Sequence, residues 1–446
     1  MRRRVLVGLL LCTAMWLRFD RTIEAQGQAP VGQYIVVLRD DLPNVPDVAN
    51  EHAQQHAAAI RYVYAAAIRG YAAAIPNARL DVLRQDPRVA FISEDRAVTV
   101  FEDSVPTGVD RIDAERRFVT GDLLVLDGEV AVIDTGSGPH ADLNVVDGYN
   151  CSTGPSYNDG NGHGSHVAGT IGARPNALGV IGVAPGVAIN SVRVLNNAGS
   201  GSWSSVICGI DWVTDRRLEY DENDADNDPG RNILVANMSL GGSGSDDGNC
   251  GNSNNEALHK AICGSVAAGI TYVVAAGNSN ANLSGFVPAA YDEVLTVTAM
   301  ADFNGRSGGG AAATCRTDVD DTSADFSNFT TVDNTADAAH TIAAPGVCIT
   351  STWKGGGYKT ISGTSMASPH VAGAVAICIA SNVCNIQQIA DPSQIASQVM
   401  DRLLDDAAAK PAGYGFTGDP NSPLTSGKGS SQKQLYYGHL VWADGY

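Results

Sequence analysis

The stretch EVAVIDTG, residues 129–136, is an apolar run that ends on an aspartate and a Thr-Gly turn. A short run with no polar alternation is a strand for the interior of a sheet, apolar on both faces. Four similar runs follow: AINSVRVL (188–195), ILVANMS (233–239), TYVVAA (271–276) and VLTVTA (294–299). Helix-forming stretches separate them, expected at His163–Ala173, Trp203–Arg217, Asn255–Ala268 and Ser365–Ser381. Buried strands alternating with helices predict an α/β fold whose mainly parallel sheet is covered on both faces. Ligands of such sheets sit beyond the carboxyl ends of the strands, where Asp134 falls.

The chain has 446 residues, 44% hydrophobic and 17% charged, which suits a globular protein with a sizeable core. Its 49 glycines suit an architecture with many tight loops. Net charge is −19, and residues 1–101 hold 12 basic against 10 acidic side chains, so the remainder carries about −21. That excludes a nucleic-acid partner, which needs a basic face.

Arg2, Arg3 and Arg4 precede an apolar run from Val5 to Leu17, too short to span a bilayer. Residues 1–25 therefore read as an export signal, and the product as secreted, with no membrane association after export. Residues 33–101 read strand-helix-strand-strand-helix-strand, a small ferredoxin-like α+β unit. Its clearest pieces are YIVVLRD, VANEHAQQHAAAI, GYAAAI, Asn77–Arg84 and VAFISEDRAVTV. Residues 102–404 form the large α/β unit. Residues 405–446 are richer in Gly, Ser and Pro, and read as an extension that is loop at first, then a docked strand or a trimmed tail.

Eight cysteines follow the signal segment, an even number that points to disulfides in an exported chain. Nearness in sequence favours Cys250–Cys263 and Cys378–Cys384, which leaves Cys315–Cys348 and Cys151–Cys208 by subtraction. No Cys-x2-Cys or His-rich spacing supports zinc at these cysteines.

The segment SGTSMASPHVAGA, residues 362–374, carries a serine from a Gly-Thr turn into a helix. A hydroxyl becomes a nucleophile only when a base takes its proton, and the base works best when a third group orients it. Asp134 ends a buried strand, and His163 in NGHGSHVAGT opens a helix between glycines that leave its face open. His166, one helical turn on, is followed by Val167 and Ala168 and is read as the deeper of the two. Asn278 ends the TYVVAA strand, where its amide suits a developing oxyanion beside the Ser365 backbone N–H.

Together, Asp134-Thr135-Gly136, His163 to Thr170 and Gly363 to His370 resemble the subtilisin-like serine proteases, in that family's order of Asp, His, Ser. The resemblance covers residue 33 to about 404 and is nearest the proteinase K-like branch. It implies a three-layer α/β/α domain and a serine endopeptidase needing no cofactor for catalysis. It also implies that residues 33–101 are a chaperoning propeptide, a transient inhibitor removed by self-cleavage near Val100–Ser104. Substrate would be a protein or peptide held between Gly199-Ser200-Gly201 and Ser239-Leu240-Gly241, with Ala275, Ala276 and Gly277 walling an open apolar pocket. A monomer is expected. The alternative is a catalytically silent relative that binds without cutting, although all four catalytic positions are filled.

Three features depart from the pattern. His163-Gly164-Ser165-His166 stands where a threonine is usual at the third position. EYDENDADNDPGR (219–231) is an insertion in which Asp224, Asp226 and Asp228 have calcium-loop spacing, with Pro229 where a glycine would follow; a solvated acidic loop is the other reading. Residues 305–325 are a second insertion. Nearby, Ala301 with Asp302 beside it stands where the branch places a calcium-binding aspartate.

Overall fold

The computed structural model describes residues 30–39, 41–65, 68–95, 104–115, 128–220, 232–426 and 432–446. The expected signal segment, the bonds before Ser104, and Asp224, Asp226 and Asp228 lie outside these residues. The chain divides into two compact units, up to Val100 and from Phe101 onward.

In the first unit, strands Val31–Leu38, Ala59–Tyr64, Gly70–Pro76 and Val89–Glu94 form one antiparallel sheet. Helix Val45–His56 and the short helix Leu80–Arg84 supply the βαββαβ order of a ferredoxin-like unit. The alanine-rich end of VANEHAQQHAAAI does not continue the helix. Ala57 takes a left-handed conformation (φ 52°) and closes it, and Ala59 starts a strand that pairs with Gly70–Pro76. Val36, Leu38, Val45, Tyr71, Ile75 and Leu83 form the core of this unit.

The second unit is built on an eight-stranded sheet. Strand Glu129–Asp134 lies at its centre, between Ala188–Arg193 and Ile233–Met238, and all three run parallel. Thr271–Ala275, Leu295–Ala301 and Thr341–Pro345 extend it in parallel on one side, and Val145–Asn150 on the other. The two-residue strand Thr322–Ser323 is the antiparallel exception. Every residue of the central strand is buried, as a run without alternation requires. Val130 and Val132 face one hydrophobic core with helices His163–Gly172, Thr364–Ala380 and Ile395–Ala408. Ala131 and Ile133 face the other, beneath helices Trp203–Glu219 and Ala257–Ala267. This is the expected three-layer arrangement.

Helix Ile395–Ala408 runs straight through the boundary expected at 404. Beyond it, strand Lys433–Tyr436 pairs with Thr330–Thr331, and Leu440, Val441, Ala443 and Tyr446 are buried in the main core. The described residues of 405–446 are therefore part of the same packed unit. The few apolar residues at its end decide this, because they are packed into the main core. The structure joins Cys151–Cys208, Cys250–Cys263, Cys315–Cys348 and Cys378–Cys384.

Candidate active site

Asp134 is the last residue of the central strand and is wholly buried. Its carboxylate accepts the Thr135 N–H at 2.7 Å and faces His163 Nδ1 at 2.8 and 2.9 Å from its two oxygens. A carboxylate accepts only, so Nδ1 carries the proton of that bond and Nε2 is left for another partner. His163 is the first residue of helix His163–Gly172, and its side chain is 26% exposed. Burial works against charge on this ring, but Asp134, with Asp159 behind it, outweighs burial and raises its pKa above the ordinary 6.5.

The approach of helix to strand depends on Gly164. A Cβ there would come within 2.1 Å of the Gly136 carbonyl oxygen. The residue preceding the helix, Gly162, has no side chain to cap it. Asp159 does so instead, accepting the N–H groups of Asn161, Gly162 and Ser165 at 2.8 to 2.9 Å and the Thr135 hydroxyl at 2.9 Å. Thr135 Oγ1 in turn accepts the Gly164 N–H at 2.9 Å. Asp159 thus fixes both the aspartate's turn and the histidine's helix. Sequence reading passed over it, although an acidic residue four positions before a helix-opening histidine was a usable signal.

His166 is fully buried and donates from Nε2 toward the Ile349 and Lys359 carbonyls, each at 3.0 Å. Burial drops its pKa to about 3, so the ring is neutral and structural. Of the two histidines, His163 is the one bonded to Asp134 and partly exposed, and His166 is the one buried.

Ser365 is the second residue of helix Thr364–Ala380, with Gly363 as the cap residue. Along that helix every side chain is buried except Ser365 and Ala380 at its far end. Its hydroxyl donates to the Ser239 carbonyl at 3.2 Å, and among the described residues no hydrogen bond joins it to His163. Catalytic contacts in a free enzyme are often loose in this way. Pro369 has no N–H to give the Ser365 carbonyl four residues earlier. The Ser239 hydroxyl fills that gap at 2.9 Å, while accepting from Asn237 Nδ2 at 3.0 Å.

Asn278 is oriented by Thr364, whose backbone N–H and hydroxyl reach its Oδ1 at 2.8 and 2.9 Å. A backbone N–H can only donate, so the atom facing it is the oxygen and the NH₂ group is turned the other way. That NH₂ lies 3.5 Å from the point where a Cβ would stand on Gly363. Gly277, at φ 102°, makes the preceding turn, and a Cβ there would meet Asn328 at 2.4 Å.

Two hollows lie at this site, and Ser365 lines the second. A cleft of about 850 Å³ is lined by His163, Gly199, Ser200, Gly201, Ser239, Leu240 and Gly241, together with Leu195, Trp203 and Val206, which sequence reading did not single out. A pocket of about 350 Å³ is lined by Ser365, Asn278, Ala275, Ala276 and Gly277, with Phe286, Val287 and Ala289 added. Among the described residues, no charged one lines this second pocket. Every expected catalytic and wall residue thus borders one of the two hollows or bonds to a residue that does.

Asp302 is buried, its Oδ2 accepting the Gly305 N–H at 2.8 Å. Its Oδ1 lies 3.9 Å from the buried Arg111 guanidinium, which also donates to Asp321 at 2.9 Å. Burial raises the Asp302 pKa to about 6. A cation is already supplied here by the chain itself, so this aspartate does not fit an exposed calcium site.

The Subtilase family profile matches residues 128–415, and the Peptidase inhibitor I9 profile matches residues 33–101. An extracellular serine proteinase from Thermus sp. (strain Rt41A) is 38% identical over 359 residues, covering 76% of this chain and 72% of that protein. Subtilisin DY from Bacillus licheniformis is 37% identical over 310 residues, covering 68% of this chain and 92% of the other. A crystal structure of a cold adapted subtilisin-like serine proteinase covers 76% of this chain and 97% of its own at 29% identity, with a TM-score of 0.49. The chain is a serine endopeptidase of the subtilisin-like class. It belongs to the subtilase family and carries an inhibitor I9 domain ahead of its peptidase domain.

Proposed function

We propose that this protein is a secreted, self-processing endopeptidase in which Ser365, His163 and Asp134 act as one unit. The observation that carries the reading is the buried Asp134 carboxylate on His163 Nδ1 at 2.8 and 2.9 Å, which leaves Nε2 as the free base. Ser365 Oγ attacks the scissile carbonyl carbon as its proton passes to His163 Nε2. The oxyanion is held by Asn278 Nδ2 and by the Ser365 N–H, one of the first-turn donors that a helix leaves unpaired. The C–N bond breaks as His163 returns the proton to the leaving amine, and water then releases the acyl group by the same route.

Substrate is an extended protein or peptide chain lying between residues 199–201 and 239–241, where glycines leave the backbone bare for strand pairing. The uncharged pocket beside Ser365 favours broad cleavage after apolar side chains. Residues 1–25 direct export and residues 33–101 inhibit until they are cut away near Val100–Ser104. The product acts as a monomer outside the cell. No cofactor takes part in catalysis, and calcium at Asp224, Asp226 and Asp228 would serve stability alone.

The test is the intact mass and N-terminal sequence of the secreted protein, wild type beside Ser365→Ala. The expected wild type begins near residues 101–105, while the variant keeps its propeptide. Identical processing of both would end the self-cleavage reading.

A further inference from the structure

Away from the cleft, the loop between Ser243 and helix Ala257–Ala267 is held in an unusual way. Asp247 gathers four backbone N–H groups onto its carboxylate, from Asn249, Gly251, Ser253 and Asn254, at 2.7 to 3.2 Å. Asp246 accepts the Gly248 N–H at 2.9 Å, and Cys250–Cys263 ties the loop to the helix. These contacts fix two carboxylates over the ring of His259, the third residue of that helix.

His259 is fully buried and lies flat on Tyr291, ring centroids 3.9 Å apart. Its Nε2 bonds Glu293 at 2.8 Å. A carboxylate accepts only, so in the neutral ring Nε2 carries the hydrogen and Nδ1 presents a lone pair. Among the described residues Nδ1 makes no hydrogen bond, yet it sits 3.2 Å from Asp247 Oδ1 and 3.4 Å from Asp246 Oδ1. Three acceptors therefore converge, within 4.8 Å of one another, and Asp292 and Glu293 add negative charge nearby. The backbone N–H groups offset part of this charge, and the cluster favours something positive at its centre, either a proton on Nδ1 or a bound cation.

We propose that Asp246, Asp247 and His259 bind a divalent ion of the zinc type. A tetrahedral ion with bonds of about 2.0–2.1 Å holds its ligands about 3.3 Å apart, a value that the two observed separations from Nδ1 bracket. A proton would favour a straight N–H···O bond, which neither aspartate forms. Glu293 behind the ring is the carboxylate that a metal-bound histidine commonly carries on its other nitrogen. One imidazole with carboxylates selects zinc, cobalt or nickel over calcium, which takes oxygens. Cys250 and Cys263 also lie within reach of His259 and Glu293, but as a disulfide they have no thiolates to give. The Asp246 and Glu293 side chains are 17% and 27% exposed, which gives an ion and a completing water a way in.

The test uses full-length Ser365→Ala protein, stripped with a chelator and titrated with zinc chloride by calorimetry and thermal melting. The expected result is saturable 1:1 binding with a raised melting temperature, and Glu293→Gln weakening the affinity about 10- to 100-fold. Asp246→Asn should abolish the strong binding while folding normally, since its one backbone bond can be kept by the amide oxygen. Absence of 1:1 binding, or binding unchanged in Asp246→Asn, would overturn the site and leave a protonated His259 as the cation.

Discussion

Ser239 and Ser365 exchange hydroxyls: each donates to the other's backbone carbonyl, at 2.9 Å from Ser239 and 3.2 Å from Ser365. The first of these bonds exists because Pro369 denies Ser365 its helical donor. The second holds the Ser365 hydroxyl away from His163, and under the proposed mechanism it would break as substrate binds.

Replacing Ser239 by alanine should therefore strip the Ser365 carbonyl of its Ser239 hydroxyl donor, at a cost of about 1–3 kcal/mol. Chemical denaturation of the inhibited enzyme checks this. Pro369→Ala restores an N–H at the right place, so the same Ser239→Ala change should cost distinctly less in that background. A strictly additive double-mutant cycle would show that the two residues do not share the carbonyl.

Asn278→Asp separates the anchoring of this side chain from its proposed work. An aspartate still accepts both bonds from Thr364, but it has no NH₂ to offer an oxyanion. The fold should survive while kcat drops about 100- to 1000-fold, the loss established for the oxyanion asparagine of subtilisin itself. KM should change little. A matching rise in KM at constant kcat would instead place Asn278 in substrate binding.

His163 must be neutral to act as a base, and its pKa is raised by Asp134 against the effect of burial. Activity is present above that pKa and falls away as pH drops through it, so the acid limb of kcat/KM should lie above pH 6.5. Asp134→Asn removes the charge, moving that limb to lower pH while cutting kcat about 10⁴-fold. Rates on an uncharged peptide across pH 5 to 9 measure both effects.

The inhibitor unit should soften in acid. His52 is buried against the Tyr71 hydroxyl and Asp86, and burial holds its pKa below the ordinary 6.5. The unfolded unit then takes up a proton that the folded one resists, so stability falls as pH drops below about 6.5. Asp86, bonded to Arg88, has its pKa depressed well below the usual 3.8, and its contribution is lost only at still lower pH. Hydrogen exchange over residues 30–95 of Ser365→Ala protein should quicken between pH 7 and 5. In His52→Gln that upper step should vanish.

The buried strands were legible because their residues are apolar on both faces, and the catalytic candidates because each sits where a strand or helix ends. Val145–Asn150 was not, since Asp147 and Gly148 break its run. Thr341–Pro345 was not either, since its Pro345 reads as a breaker. The hairpin of Ile349–Trp353 and Gly357–Ile361 is polar and half exposed, so hydrophobicity gave no signal. Ser239 escaped notice as a side chain because its partner is 126 residues away. The Asp246–His259 cluster escaped for a related reason, since only the path of the loop brings its members together.

The start of the peptidase unit is tethered twice. The Ser104 N–H reaches the Gly179 carbonyl at 2.9 Å, and Arg111 donates to the Tyr414 and Gly415 carbonyls at 2.7 and 2.9 Å, three hundred positions along. A rope cut just ahead of a cleat goes slack on one side only. Under the proposed processing, a break upstream of Ser104 would likewise give freedom to the departing piece and leave the retained end fast.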